Sequence, residues 1–167
     1  MSIEIKKPSA EDAAAMLDYL KQIGRETDNL TFGGEGLPLT AEEEAASITR
    51  AANSQDEWMM VAKEAGRIIG DISLTRLPRR MQHRGDLGMA VLREYWNRGV
   101  GTALLREAVR FAKENGFTCL DLQVRCDNLA AIHLYEKFGF QKIGTHPCFF
   151  RMGEEDIPFA YMCLRLI

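Results

Sequence analysis

Two glycines at a predicted strand-to-helix junction form the part of this sequence best suited to bind an anion. Residues 87–92 are apolar and predict a buried strand, and residues 100–115 predict a helix. The first turn of a helix has backbone N–H groups without intrahelical partners, and the helix dipole adds positive charge there. Gly99 and Gly101 lack the Cβ that would keep a phosphate away from those groups. The junction therefore predicts phosphate binding.

The neighbours of these glycines narrow the kind of phosphate ligand. Asn97 and Arg98 are polar or cationic, and Thr102 can cap the helix or contact an anion. A dinucleotide fingerprint would need a third glycine where Leu104 stands, and a Walker loop would need Gly-Lys-Ser/Thr, which is absent. Taken alone, a Gly-x-Gly pair more often marks a simple turn between strand and helix than a phosphate site.

Composition excludes several classes of protein. The formal net charge of −3 gives no electrostatic case for nucleic-acid binding, so a small molecule or a peptide is the expected partner. The first residues lack the apolar run of a signal peptide and no stretch is long and apolar enough to span a bilayer, which predicts a cytoplasmic protein without a membrane partner. No metal site is predicted, because metal-ligand spacing is absent among the four cysteines and three histidines, Cys119, Cys126, Cys148, Cys163, His83, His133 and His146.

The periodicity of apolar residues predicts a single domain over residues 1–167. Its elements are, in order, a strand at 3–6, helices at 10–23 and 40–52, strands at 58–62, 67–77 and 87–92, a helix at 100–115, a strand at 118–124, a helix at 128–138 and strands at 140–150 and 159–166. The glycine-rich stretch 24–39 is predicted to be a long loop that borders the acceptor site.

Charged clusters are ambiguous at this level. The basic turn 78–84, together with Arg76, would attract an acidic acceptor or a cofactor phosphate, or would be a solvated hairpin tip. Glu26, Asp28 and Glu35 would receive a cationic amine, or would be solvated loop residues. The glutamates 42–44 suit the N-terminal dipole of the second helix.

A second segment, residues 128–140, reads Asn-Leu-Ala-Ala-Ile-His-Leu-Tyr-Glu-Lys-Phe-Gly-Phe. Together with the Gly-x-Gly helix start about thirty residues earlier, it resembles the acyl-CoA binding motifs of the GNAT family of N-acetyltransferases. One departure stands at Trp96, where that family commonly has Gln or Arg three residues before the first glycine. Because backbone N–H groups do most of the phosphate binding, we expect this departure to have weak consequences.

The resemblance implies a fold and an activity. The fold would be of the α/β (α+β) class: a mixed, mostly antiparallel sheet of six to seven strands, flanked by about four helices, with its central strands splayed apart. The activity would be transfer of an acetyl group from acetyl-CoA, a co-substrate, to a primary amine of a small molecule or peptide, by direct attack in a ternary complex. The alternative is a non-catalytic acyl-CoA-binding sensor or regulatory subunit. Members often pair as homodimers, while the sequence leaves the oligomeric state open.

The resemblance also implies residue roles. The pantetheine arm would be held by Asn128 and by the backbone of the central strand at Met89, Ala90 and Val91. The pyrophosphate would be held by backbone N–H groups of Arg98, Gly99, Val100, Gly101 and Thr102.

The chemistry requires two proton transfers. An amine must lose a proton before it attacks a thioester, and the departing thiolate must gain one. By resemblance, Tyr135 would protonate the sulfur. Asp86 is the candidate for the base, directly or through water, with His83 or no dedicated base as alternatives.

Overall fold

The computed structural model describes residues 2–166. Within this range lie four α-helices, α1 (Ala13–Glu26), α2 (Ala41–Asn53), α3 (Val100–Glu114) and α4 (Leu129–Lys137). The same range contains seven strands, β1 (Ile3–Lys6), β2 (Glu57–Glu64), β3 (Arg67–Arg76), β4 (Arg84–Val91), β5 (Cys119–Arg125), β6 (Gln141–Met152) and β7 (Glu155–Arg165). Short 3-10 turns occupy Ala10–Asp12, Arg79–Met81 and Arg93–Tyr95.

The seven strands in the described range form one sheet in the order β1-β2-β3-β4-β5-β7-β6. Strands β4 and β5 pair in parallel, whereas the β1–β2, β2–β3, β5–β7 and β6–β7 pairs are antiparallel. The prediction of a mixed, mostly antiparallel sheet with about four helices is therefore confirmed.

The chain divides into two compact units. The first runs up to Thr75 and resumes at Met89–Arg110, and the second comprises Arg76–Gly88 and the chain from Phe111 onward. Strand β4 and helix α3 each contribute residues to both units. That residues 1–167 act as a single domain stays a prediction.

In the first unit, α2 packs against α1 and β2. Thr40 caps α2, because its hydroxyl oxygen accepts a hydrogen bond from the Glu43 amide at 3.1 Å while the Glu43 carboxylate accepts one from the Thr40 amide at 2.8 Å. The inner faces of the helices bury Met16, Tyr19 and Ile23 of α1 together with Ile48 of α2. These contacts fix α1 and α2 on one face of the first unit.

Helix α1 differs from its prediction at both ends. The chain forms a 3-10 turn before Ala13, a common arrangement at helix starts, and Asp12 holds it by accepting from the Ser9 amide at 2.8 Å. The helix then continues through Gly24 to Glu26. A Cβ on Gly24 would lie 2.0 Å from the Gly33 carbonyl oxygen, so this glycine makes room for the following loop and does not end the helix.

In the second unit, β5, β7 and β6 form an antiparallel sheet. Leu120, Leu122 and Val124 of β5 are buried and lie opposite Leu164, Met162 and Ala160 of β7, as strand alternation requires. The pairing of β6 with β7 is irregular at two places, between residues 142 and 144 and between 146 and 150.

Candidate functional site

Strand β4 changes its pairing along its length. In the described chain its parallel ladder with β5 comprises residues 84–86 against 119–121, so residues 87–91 lie beyond that ladder. A strand edge outside a ladder presents N–H and C=O groups to which an extended ligand can add as a further strand. This agrees with the predicted splaying of the central strands.

Met89, Ala90 and Val91 lie at the end of β4 and belong to the first unit. The Ala90 carbonyl accepts a hydrogen bond from the Tyr19 hydroxyl at 3.0 Å, and the Val91 carbonyl accepts one from the Trp96 indole N–H at 2.7 Å. Side chains thus orient two of the three predicted pantetheine-binding carbonyls.

The start of α3 has the geometry expected of an anion cradle. Asn97 and Gly99 have left-handed backbones, with φ of 60° and 81°. The Gly99 carbonyl accepts the first helical hydrogen bond, 3.0 Å from the amide four residues on, so Val100, Gly101 and Thr102 carry the amides of the first turn. Nothing lies within 4 Å of the position that a Cβ of Gly99 would occupy. The backbone is therefore open to a ligand.

Arg98 and Trp96, which precede this helix start, each contact a neighbouring group. The exposed Arg98 guanidinium lies 5.1 Å from the centroid of the Tyr95 ring, whose hydroxyl donates to Glu64 at 2.6 Å. Trp96, the departure from the family motif, is 44% exposed and binds β4 through its indole.

Asp86 lies on β4 in the second unit. Its carboxylate accepts a hydrogen bond from the Gln123 amide at 3.2 Å. Burial raises the pKa of Asp86, the charge of Asp121 raises it further, and the Gln123 hydrogen bond opposes the change. A raised pKa is closer to neutral pH, and a general base is most effective when its pKa is near the pH of the reaction. The alternative, His83, is exposed.

Asn128 and Tyr135 also belong to the second unit. Asn128 caps α4, since its side-chain oxygen accepts from the Ala131 amide at 3.3 Å. Tyr135 is 6% exposed and packs edge-on against Phe140, 5.6 Å between ring centroids. Burial raises the pKa of Tyr135 to about 12, so its phenol keeps its proton across the neutral range.

The Tyr135 hydroxyl has no hydrogen-bond partner in the described chain. No fully enclosed side-chain polar atom of these residues lacks a partner, so this oxygen reaches accessible surface. A largely buried hydroxyl that bonds to nothing in the protein is free to donate its proton to a ligand.

Two cations of the basic cluster contact other groups of the second unit. Arg76 donates to the carbonyls of Gln82 and Asn115 at 2.6 and 2.9 Å, and its guanidinium lies 3.8 Å from the centroid of the Phe117 ring. Arg84 pairs with Asp121 at 2.7 Å. Arg79 and Arg80 of the turn are exposed. Attraction of an acidic ligand by this cluster stays a prediction.

The acidic loop residues are likewise engaged. Glu26 accepts from the Arg93 amide at 2.7 Å, and Glu35 accepts from the Gly33 amide at 2.9 Å. Asp28 also has an interaction partner. Glu26 and Glu35 thus each accept a hydrogen bond from the backbone, and their binding of a cationic amine stays a prediction.

Sequence reasoning missed three polar residues of the first unit. They are Tyr19, 3% exposed, Glu44, 6% exposed, and Asp71, half-buried on β3. The signal for Glu44 was its position four residues before Ile48, which places both on the buried face of α2. Asp71 sits in an otherwise apolar strand run.

Within residues 2–166, one group of potential metal ligands comes together. Cys119, Asp121 and Cys163 bring one ligand atom each within 4.8 Å of one another, and the two sulfurs are 2.9 Å apart. Asp121 also binds Arg84, whose positive charge disfavours a cation there. The prediction of a metal-free protein stays a prediction.

No helix of the described chain has the length and apolar character needed to cross a bilayer.

The predicted site residues thus fall into two sets. The first unit holds Met89, Ala90, Val91, Arg98, Gly99, Val100, Gly101 and Thr102. The second unit holds Asp86, Asn128 and Tyr135. The first set offers backbone groups for an anion and an extended chain. In the second set Asp86 and Tyr135 can exchange protons, whereas the Asn128 side chain can only form hydrogen bonds.

Comparison with known proteins gives a family model, described as the acetyltransferase (GNAT) family, that matches residues 15–140. N-alpha-acetyltransferase RimI of Mycobacterium tuberculosis is 31% identical over 112 residues, which cover 66% of this chain and 69% of RimI. Three further relatives are matched over 30% to 34% of their own length.

Solved structures share the whole fold. An acetyltransferase of the GNAT family from Streptococcus pneumoniae is 32% identical, with a TM-score of 0.93 over 98% of this chain and 99% of that chain. A Salmonella typhimurium protein, yncA, solved with its cofactor acetyl-CoA, is 18% identical, with a TM-score of 0.84 over 100% of this chain and 95% of its own.

Proposed function

The chain belongs to the GNAT family of acetyltransferases and uses acetyl-CoA as its co-substrate, and on that premise we propose the reaction that it carries out. The enzyme transfers the acetyl group to a primary amine of a small molecule or peptide. The amine attacks directly while both substrates are bound, without an acetylated enzyme. The solved and curated relatives support N-acetylation as the class of reaction.

The helix start of α3 fits the pyrophosphate of the co-substrate. Its first-turn amides are open, and the left-handed Gly99 leaves the space above them clear. We assign pyrophosphate binding to the backbone of Arg98, Gly99, Val100, Gly101 and Thr102. We assign the pantetheine arm to Asn128 and to the β4 backbone at Met89, Ala90 and Val91. When bound, the co-substrate supplies a thioester.

The observation that carries the proposal is the Tyr135 hydroxyl. It is largely buried, lacks a protein partner in the described chain and keeps its proton because burial raises its pKa to about 12. A phenyl ring would pack as well as the Tyr135 phenol, so the hydroxyl is not needed for packing. A hydroxyl that keeps its proton is suited to protonate a leaving thiolate. Tyr135 is therefore the general acid.

Asp86 is the proposed acceptor of the amine proton, directly or through water. It is half-buried, and burial raises its pKa. His83 and water remain alternatives, because the hydrogen bond from Gln123 also suits a structural role for Asp86. The protein is proposed to be cytoplasmic and, as in many family members, able to form a homodimer.

Replacement of Tyr135 by Phe tests the general acid. A positioned acid contributes roughly a hundredfold or more to the rate, so kcat for amine-dependent release of CoA should fall by about that factor while the KM for acetyl-CoA is little changed. Tyr95→Phe is the matched control, since it removes a hydroxyl that is committed to Glu64. Equal activity of wild type and Tyr135→Phe across the pH range would overturn the assignment.

A further inference from the structure

Two polar side chains and a strand carbonyl meet in the first unit. The Tyr19 hydroxyl of α1 lies 2.7 Å from Asp71 Oδ1 on β3 and 3.0 Å from the Ala90 carbonyl oxygen on β4. A hydroxyl has one proton, so Tyr19 donates to one of these two acceptors at a time. Because both acceptors contact the same hydroxyl, Asp71 lies close to the end of β4, the strand that we assign to the acetyl donor.

Glu44 of α2 is buried without a partner. It is 6% exposed, and it lies on the same helix face as Ile48, which is 2% exposed. Its carboxylate has neither a hydrogen bond nor an ion pair in the described chain. Because no fully enclosed side-chain oxygen of the described residues lacks a partner, the Glu44 carboxylate oxygens reach accessible surface, where a ligand can contact them.

The two carboxyl groups lie close enough to influence each other. Burial raises the pKa of Asp71 to about 6, the Tyr19 hydrogen bond lowers it, and the charge of Glu44 raises it. Burial also raises the pKa of Glu44. Neither carboxyl is influenced by a Lys, Arg or His of the described chain. Among the described residues, the two carboxyl groups therefore have no positively charged partner.

We propose that Glu44 and Asp71, with Tyr19, bind a cationic group of the acceptor, and that the acceptor is a small aliphatic compound with a second ammonium group besides the amine that is acetylated. The proposal rests on the proposed acetyltransferase function. It assigns the acceptor class to Glu44, which is 6% exposed and has no partner in the described chain, and to Asp71, which accepts a hydrogen bond from Tyr19.

The bound cation is the ammonium that does not react. A carboxylate beside an ammonium stabilises its protonated form, and an amine must be deprotonated to attack a thioester. Two carboxylates around the reacting nitrogen would therefore oppose the reaction. Around a second nitrogen they anchor the acceptor without that penalty.

Diamines and matched monoamines test the proposal. The probes are diaminopropane to diaminohexane, each compared with the alkylamine of the same length, in amine-dependent release of CoA. The wild type should prefer at least one diamine over its monoamine. Glu44→Gln should lower kcat/KM for that diamine by about tenfold or more, mainly through KM, and should remove most of the preference for the diamine over its monoamine.

Glu42→Gln is the matched control, because Glu42 is exposed on the same helix and its replacement changes the net charge equally. It should keep the diamine preference. Asp71→Asn is the second test variant, should Glu44→Gln not fold. Turnover of amines without diamine preference, or a preference that survives in both Glu44→Gln and Asp71→Asn, would overturn the proposal.

Thermal unfolding separates this proposal from the proposed function. With saturating CoA, a diamine should raise the Tm of the wild type, and the monoamine should raise it less. Glu44→Gln should lose the difference. If no amine is acetylated, the proposed function fails, and the diamine shift still decides whether the ammonium site exists. Absence of that shift in the wild type would overturn the site.

Discussion

Two buried acids, one in each unit, have opposite surroundings. Glu44 in the first unit and Asp121 in the second are 6% and 8% exposed. Asp121 binds Arg84 at 2.7 Å, whereas Glu44 has no partner in the described chain and has a second acid, Asp71, close by. Burial alone therefore does not determine whether a carboxylate has a counter-ion in the described chain.

The pH dependence of stability should show this contrast most strongly. The pKa of Asp71 is about 6 in the folded protein, against 3.8 ordinarily. The protonated carboxyl stabilises the fold fully below about pH 4, and this contribution, of the order of 3 kcal/mol, is lost as the pH rises through about 6. Urea unfolding of wild type and Asp71→Asn should show the variant gaining relative stability over that range. A difference independent of pH would contradict the raised pKa of Asp71.

Removal of Arg84, the counter-ion of Asp121 in the second unit, should have a nearly equal effect on the free energy of unfolding. Arg84→Met keeps the aliphatic stem but leaves Asp121 buried and unpaired. We expect a loss of about 2 kcal/mol, less than the ~3–5 kcal/mol of a fully buried pair because the Arg84 side chain is 37% exposed.

Arg151→Met is the control for that variant. It breaks a pair with Asp156 in which the side chains are 66% and 46% exposed, so a change of about 0–1 kcal/mol is expected. Equal losses in the two variants, measured by urea unfolding, would show that Asp121 does not depend on Arg84.

Removal of the Glu44 charge in the first unit should change the free energy of unfolding by a smaller amount and in the opposite direction. Glu44→Gln should stabilise the free enzyme by about 1 kcal/mol near pH 7.5, because it deletes a buried charge without a counter-ion. Glu42→Gln, at an exposed position of the same helix, should change the free energy of unfolding by less than about 0.5 kcal/mol. Destabilisation by Glu44→Gln would indicate that Glu44 has a structural role.

The sequence was informative where the chemistry is local. The α3 start depends on neighbouring residues, so its open glycine backbone could be predicted from residues 87–102. The β4 segment beyond the β5 ladder was expected only because the family resemblance implies splayed central strands. The motif around Tyr135 is also continuous, and the structure adds that its hydroxyl is unpaired. The assignment of catalytic and binding roles to these residues stays a prediction.

The acid pair could not be predicted, because it depends on three separate elements. Tyr19 and Asp71 are 52 positions apart, and Glu44 comes from a third element between them. In the sequence Glu44 is one of three consecutive glutamates that all suit the helix dipole, and only packing shows that it is the buried one. The same limit applies to Arg76 and Arg84, whose partners lie far along the chain.

The central claim is that an amine takes the acetyl group directly from acetyl-CoA on this enzyme. The most direct test mixes enzyme at high concentration with acetyl-CoA, with and without an accepted amine, and follows CoA release and the intact mass of the protein. We predict no release without amine, an unchanged protein mass, and release equal to acetylated amine when amine is present. A stoichiometric burst of CoA without amine, with the mass of one acetyl group added to the protein, would contradict direct attack in a ternary complex.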